Sequence, residues 1–113
     1  MNKKTIVQYD QFAGLDLRVG TIIEAENFEK ARNPSYLLKI DFGQIGVLKS
    51  SAQITGRYKT EDLIGKQVVA IVNFSPKQIA TVISECLVLG AVEGDNVTLL
   101  SPDMKVDNGA AIA

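Results

Sequence analysis

The sequence predicts a single all-β domain, built as a barrel or sandwich of short strands. Three observations lead there. Apolar and polar residues alternate with period two in several segments. Turn signals rich in glycine, asparagine and proline separate those segments. The helical pattern in the middle of the chain is about one turn long, so strands must supply the core. The 113 residues suit one domain, 1–113. That length can bury a core without help from metal or disulfide.

The elements follow in order. YDQFAG near the N-terminus suits one helical turn. LDLRVGTIIEAENF reads as a long half-buried strand, with Leu15, Leu17, Val19, Thr21, Ile23 and Ala25 on the inner face. Gly20 within it is the expected site of a bulge or sharp coil. EKARNPS breaks the pattern at Asn33-Pro34. YLLKIDF resumes it, with Tyr36, Leu38, Ile40 and Phe42 inward. VLKSSAQI makes a third strand, with Lys49 and Ser51 opposite Leu48, Ser50 and Ala52. In TGRYKTEDLIGK, a Thr60 cap, an acidic first turn and Gly65 describe a short helix. QVVAIVNF is a nearly continuous apolar strand, CLVLGAV another and NVTLL a sixth, with EGD as the last hairpin turn. The segment from Phe74 to Glu85 reads as a connecting loop. The tail SPDMKVDNGAAIA ends in a short extended piece.

Composition removes several functions. There is no histidine, and Cys86 stands alone. Ser-His-Asp and Cys-His catalysis are therefore excluded, as is a thiolate or imidazole zinc cluster. No glycine-rich phosphate loop or paired-carboxylate motif is present, so a non-enzymatic protein without metal or cofactor is expected. The lone cysteine, the lack of a secretory leader and the lack of a ~20-residue apolar span point to a cytoplasmic protein that does not insert into membranes.

The net charge of −1 conceals a strong segregation. Residues 30–80 hold eight basic side chains and three acidic ones, while both flanking segments are acidic. Polyanion binding follows local potential more than total charge.

A helix inserted between the third and fourth of many short strands is the arrangement of an OB-fold, a five-stranded Greek-key barrel, here with terminal extensions. Its ligand surface is formed by strands two and three plus the loops joining strands one-two and four-five. Those loops are Phe28–Ser35 and Phe74–Glu85. Lys30, Arg32, Lys39, Lys49 and Lys77 then converge around one groove as a polyanion-facing surface. Ser50, Ser51, Asn73, Ser84 and Glu85 lie at strand ends near it, where they could bond phosphate, sugar or peptide, or cap the loops. Phe28 and Phe74 could stack on splayed bases or plug the barrel end, plugging being the better account for Phe74.

DLRVGTI, KSSAQIT, GKQVVAIVNFSPKQIA and SECLVLGA, in that order, resemble the tRNA-binding-domain family, in particular its CsaA branch of export-related chaperones. The resemblance runs from about Phe12 to Ala110. It implies a homodimer of OB-folds whose terminal segments help form the interface. It also implies a tRNA surface at Ser50 and Ser51, Asn73 with Pro76 and Lys77, and Ser84 with Glu85. The CsaA branch further implies binding of unfolded or precursor polypeptides in support of export, with the secretion machinery as a further partner. Beside Lys77, residues Ile79, Val82 and Ile83 could close a barrel end, join a second subunit or line a peptide pocket. With Phe28 and Phe74 they are the candidate peptide contacts. A dedicated tRNA-binding protein assisting an aminoacyl-tRNA synthetase is the alternative expectation.

Overall fold

In the computed structural model, which describes residues 2–113, five strands form one antiparallel sheet that curls into a nearly closed barrel. Strand β1 (Leu17–Asn27) is its backbone. Its first half pairs with β4 (Gln67–Ile71), from Leu17↔Ile71 to Thr21↔Gln67. Its second half pairs with β2 (Tyr36–Asp41), from Thr21↔Asp41 to Asn27↔Tyr36. Strand β3 (Val47–Ala52) adds outside β2, and β7 (Leu87–Val88) adds outside β4. The strand order is β3-β2-β1-β4-β7. The OB-type architecture expected from the element order is thus present.

One strand can serve two neighbours only if it coils. The register of β1 shifts between Ile22 and Glu24, which makes Ile23 the extra residue of a bulge. Val19 and Ile22 point inward at 1% and 0% exposure, whereas Ile23 is 42% exposed. Strict alternation had put Ile23 inside and the bulge at Gly20, so both expectations are corrected. Gly20 has a different task. A Cβ there would lie 2.6 Å from Ile40 Cγ2 and 2.7 Å from the Phe42 ring. Glycine lets the two core side chains press directly against the β1 backbone.

The core gathers Ile22, Leu38, Ile40, Phe42, Leu63, Val68 and Ala70, all at 0% exposure. Leu63 comes from α2 (Thr60–Leu63), which covers one end of the barrel. Thr60 is not its cap: Lys59 holds that position without a side-chain cap bond, and the Thr60 hydroxyl reaches only Glu61 Oε2 at 3.4 Å. The helix is instead fastened by its exit. The Gly65 N–H donates to Ile22 O at 2.8 Å, and the Ile22 N–H to Lys66 O at 2.9 Å. Gly65 adopts φ +91°, a left-handed turn that favours glycine.

The connector after β4 is more ordered than a loop. It contains a hairpin of β5 (Lys77–Ile79) and β6 (Val82–Ser84), with Ala80 at φ +52° in its turn. After β7, strands β8 (Gly90–Glu93) and β9 (Asn96–Leu99) form a separate hairpin around Gly94. The helical turn α1 (Tyr9–Ala13) precedes β1 as expected. The tail runs beside the first half of β1, through Gly109 N–H to Val19 O at 2.7 Å and Ile112 N–H to Leu17 O at 3.0 Å. Among the described residues, no helix is long and apolar enough to cross a membrane.

Replacing Gly20 with valine should therefore overpack the core. The expected loss is about 1–3 kcal/mol, read as a lower urea midpoint at unchanged slope.

Candidate functional site

Alternation along β2 sends Leu37, Lys39 and Asp41 to the outer face of the barrel. Cross-strand register then builds rows on that face. Glu24 stands opposite Lys39, and Lys39 opposite Lys49. Glu26 stands opposite Leu37, and Leu37 opposite Ser51. The β5–β6 hairpin borders the outer edge of β3. Within the hairpin Lys77 faces Ser84 and Ile79 faces Val82, so these four side chains share one side, while Gln78 and Ile83 share the other.

The hairpin exit and β3 are joined by one backbone bond and by two side chains that imitate a sheet ladder. The Glu85 N–H donates to Lys49 O at 2.7 Å, and Glu85 Oε1 accepts the Lys49 N–H at 3.0 Å. One residue row further, Ser84 Oγ accepts the Ser51 N–H at 3.1 Å. Between them opens a groove of ≈ 340 Å³, lined by Ser51, Gln53, Phe74, Ser75, Lys77, Ile79, Ser84, Glu85, Cys86 and Leu87. It offers one ammonium, three hydroxyls and several apolar groups on one wall system. Such a mixture can hold an anionic or amide-bearing chain beside apolar surface.

The structure distributes the expected site residues unevenly. Lys77, Ser51, Ser84, Glu85, Phe74 and Ile79 meet at the groove. Lys49 adjoins it through its backbone contacts with Glu85. Lys39 shares the outer face but reaches away from the groove, to Glu24 Oε2 at 2.9 Å. That hydrogen bond, together with the attraction of the Glu24 charge, raises the Lys39 pKa and holds the side chain cationic. Lys30 and Arg32 are exposed in the Phe28–Ser35 loop, and Arg32 lines a separate cavity of ≈ 390 Å³ with Thr55 and Pro34. The five cations therefore do not ring one groove.

Several polar candidates serve the fold. Asn73 turns to the N-terminal segment, accepting the Asp16 N–H at 2.8 Å and donating to Gly14 O at 2.9 Å. Ser50 is buried at 1% exposure, so only Ser51 of the pair faces out. Of the two aromatics, for which stacking and plugging were both open, Phe74 departs from the plugging role preferred for it. Phe28 is buried at 7% and packs, whereas Phe74 is 47% exposed on the groove and does not plug the barrel. Val82 is half-buried beside the groove, and Ile83 is exposed on the far side of the hairpin. Gln53, Ser75 and Leu87 also line the groove and were not anticipated. The signal for them was the period-two pattern Lys77, Ile79 and Val82, Ser84, which marks a hairpin where a loop was read.

Cys86 lies under this groove. Burial pushes its thiol up to about 12, opposed by a hydrogen bond with Ser50 and reinforced by the Glu85 charge. Among the described residues, no three His, Cys, Asp or Glu side chains group as metal ligands.

An OB-type barrel with a mixed polar and apolar groove between the edge of β3 and the β5–β6 hairpin has the form of a binding module. Residues 17–111 match the family model described as "Putative tRNA binding domain". The chain belongs to this tRNA-binding-domain family and is of its CsaA type. It is similar to the chaperone CsaA of Bacillus anthracis str. Ames at 52% identity and TM-score 0.93, over 96% of this chain and 100% of that one. The CsaA chaperone protein of Picrophilus torridus gives 52% identity and TM-score 0.91, with the same coverages. Methionine–tRNA ligase of Thermococcus kodakarensis is 42% identical over 110 residues, which are 97% of this chain and 15% of the ligase. That of Flavobacterium psychrophilum is 40% identical over 112 residues, 97% of this chain and 16% of the ligase. The chain thus spans about one-sixth of these curated relatives' length.

The buried thiol makes a direct test of the barrel seal. Cys86 should react slowly with a disulfide reagent in the native protein and rapidly in denaturant. The sign of its pH effect follows from the raised folded value: above pH ~9 the unfolded chain loses this proton first. Stability should fall as pH climbs from there toward 12. Cys86→Ser should flatten that part of the profile, as followed by urea unfolding.

Proposed function

We propose that this protein is a non-enzymatic, homodimeric, cytoplasmic chaperone that holds unfolded or precursor polypeptides in support of export, and that its groove is shared with tRNA. The observation that carries the reading is the near full-length likeness to two CsaA chaperones, each covered completely. The groove chemistry agrees with it. Phe74, Ile79 and Leu87 give apolar contact, while Lys77 and the hydroxyls of Ser51, Ser75 and Ser84 give polar contact. Exposed apolar residues favour a dimer: Ile6 at 95%, Tyr9 at 76%, Val92 at 71% and Met104 at 75%. A holding chaperone needs no nucleotide cycle. By binding unfolded chains it lowers their free concentration and slows aggregation. The secretion machinery is the natural recipient of such clients.

The alternative reading is a dedicated tRNA-binding protein that assists an aminoacyl-tRNA synthetase. It draws support from the family model and from the likeness to methionine–tRNA ligases.

At one dimer per client, the protein should suppress light scattering from a reduced, aggregating client. Undiminished scattering would remove the chaperone reading. Gel shifts with tRNA across a salt series should show affinity falling steeply with salt. Lys77→Ala and Lys49→Ala should each weaken binding and lower the log–log slope by about 1. Binding that ignores salt would remove the tRNA reading.

A further inference from the structure

Three cross-strand neighbours on the outer face of the barrel form one charged row. Glu24 on β1 stands opposite Lys39 on β2, and Lys39 stands opposite Lys49 on β3. Directly opposed side chains lie about 5 Å apart at Cβ, and like charges so placed repel. Lys39 turns from Lys49 to the carboxylate. Its Nζ lies 2.9 Å from Glu24 Oε2, with both side chains largely exposed. The hydrogen bond and the Glu24 charge raise the Lys39 pKa, and the Glu26 charge adds a smaller part.

The bulge in β1 creates this pair. Thr21 and Ile22 pair with Asp41 and Ile40. Continued without interruption, that register would set Ile23 opposite Lys39. The extra residue brings Glu24 to that position instead. Re-aiming a side chain is a known use of a bulge.

The pair lies apart from the groove. Glu24, Glu26 and Lys39 line a separate concavity of ≈ 490 Å³ with Ile23, Leu37 and Ile64. The groove holds Lys77 and adjoins Lys49. Among the described residues, neither of these two lysines forms a salt bridge. The outer face thus passes from carboxylates on β1 to unpaired ammonium groups at β3 and the hairpin. Lys39 stands at the border, bound to the acidic side.

We propose that Glu24 is a positioning residue that holds Lys39 away from a polyanion lying along the groove, and so keeps the tRNA affinity of the groove below what its lysines would give. A phosphate backbone that crosses Lys77 and Lys49 reaches Lys39 on the next strand. There it finds an ammonium already neutralised by Glu24. The penalty acts on a polyanion alone, since an uncharged polypeptide segment gains little from a third ammonium. Glu24 thereby tunes the tRNA half of the shared-groove reading, on which this role rests.

Gel shifts with tRNA over a salt series test the role, using Glu24→Gln, Glu26→Gln and the double variant Glu24→Gln/Lys39→Ala. All three positions are exposed, so the variants keep the fold. Glu24→Gln should tighten binding about threefold at low salt, the scale of an exposed ion pair. It should also steepen the log–log salt slope by about 1, as Lys39 joins the contacts. Glu26→Gln removes the same charge without breaking the Lys39 hydrogen bond, and should leave the slope unchanged. The double variant removes both members of the pair, and should bind within about twofold of wild type at the wild-type slope. A wild-type slope in Glu24→Gln would overturn the role, as would equal steepening in Glu26→Gln. A double variant whose slope falls below wild type would also overturn it, since Lys39 would then contact the RNA in the wild-type protein. Binding that Lys77→Ala weakens but Glu24→Gln leaves unchanged loses the Glu24 role alone. Absence of binding in both wild type and Glu24→Gln loses the shared tRNA reading as well.

Discussion

The molecule depends on the coiling of β1. A five-stranded sheet curls into a barrel only when its central strand bends enough to pair with one neighbour at each end. Here β1 pairs with β4 through Leu17–Thr21 and with β2 through Thr21–Asn27. The bulge at Ile23 supplies the turn, and Gly20 leaves room for Ile40 and Phe42 on the concave side. The exits of α2 and the tail both attach to this strand, at Ile22, Val19 and Leu17. Straightening β1 would remove the outer face on which Lys39, Lys49 and Ser51 are displayed, because their register is counted from it.

A second constraint acts where the barrel closes. Strand β3 meets the chain leaving the hairpin through one backbone bond, a carboxylate and a hydroxyl, not through a continuous strand ladder. Glu85 and Ser84 satisfy the Lys49 and Ser51 N–H groups that a sheet edge would otherwise expose. The same two residues line the groove. Site and seal are therefore built from one set of groups. The Glu85 carboxylate, although beside Lys77 in the groove, is turned to a backbone donor. The same seal keeps Cys86 out of water.

The motif residues that mark the family divide by duty in this chain. Asn73 ties the start of β1 to the end of β4, and Ser50 packs within the barrel. Lys77 and Ser51 are left to face the groove, together with Phe74 and Ile79. The apolar content of the Phe74–Glu85 connector is accounted for in the same way. Ile79 and Val82 lie on the side of the hairpin that carries Lys77, and Ile83 lies on the other.

Period-two alternation in β2 and β3, the turn signals and the placement of one short helix determined the OB-type barrel, because burial of one sheet face imposes that pattern locally. The candidate loops and most groove residues followed from it. What the pattern could not carry was any feature that depends on the partner of a residue. The bulge moved Ile23 outward because β1 answers to two neighbours. Asn73 and Glu85 turned to backbone donors far along the chain, and Lys39 turned to Glu24. Phe74 lies exposed on the groove, and Phe28 is the buried one, because exposure at a barrel end depends on which loop folds over it. These outcomes are long-range, set by hydrogen bonds and packing between segments, and only the assembled barrel decides them.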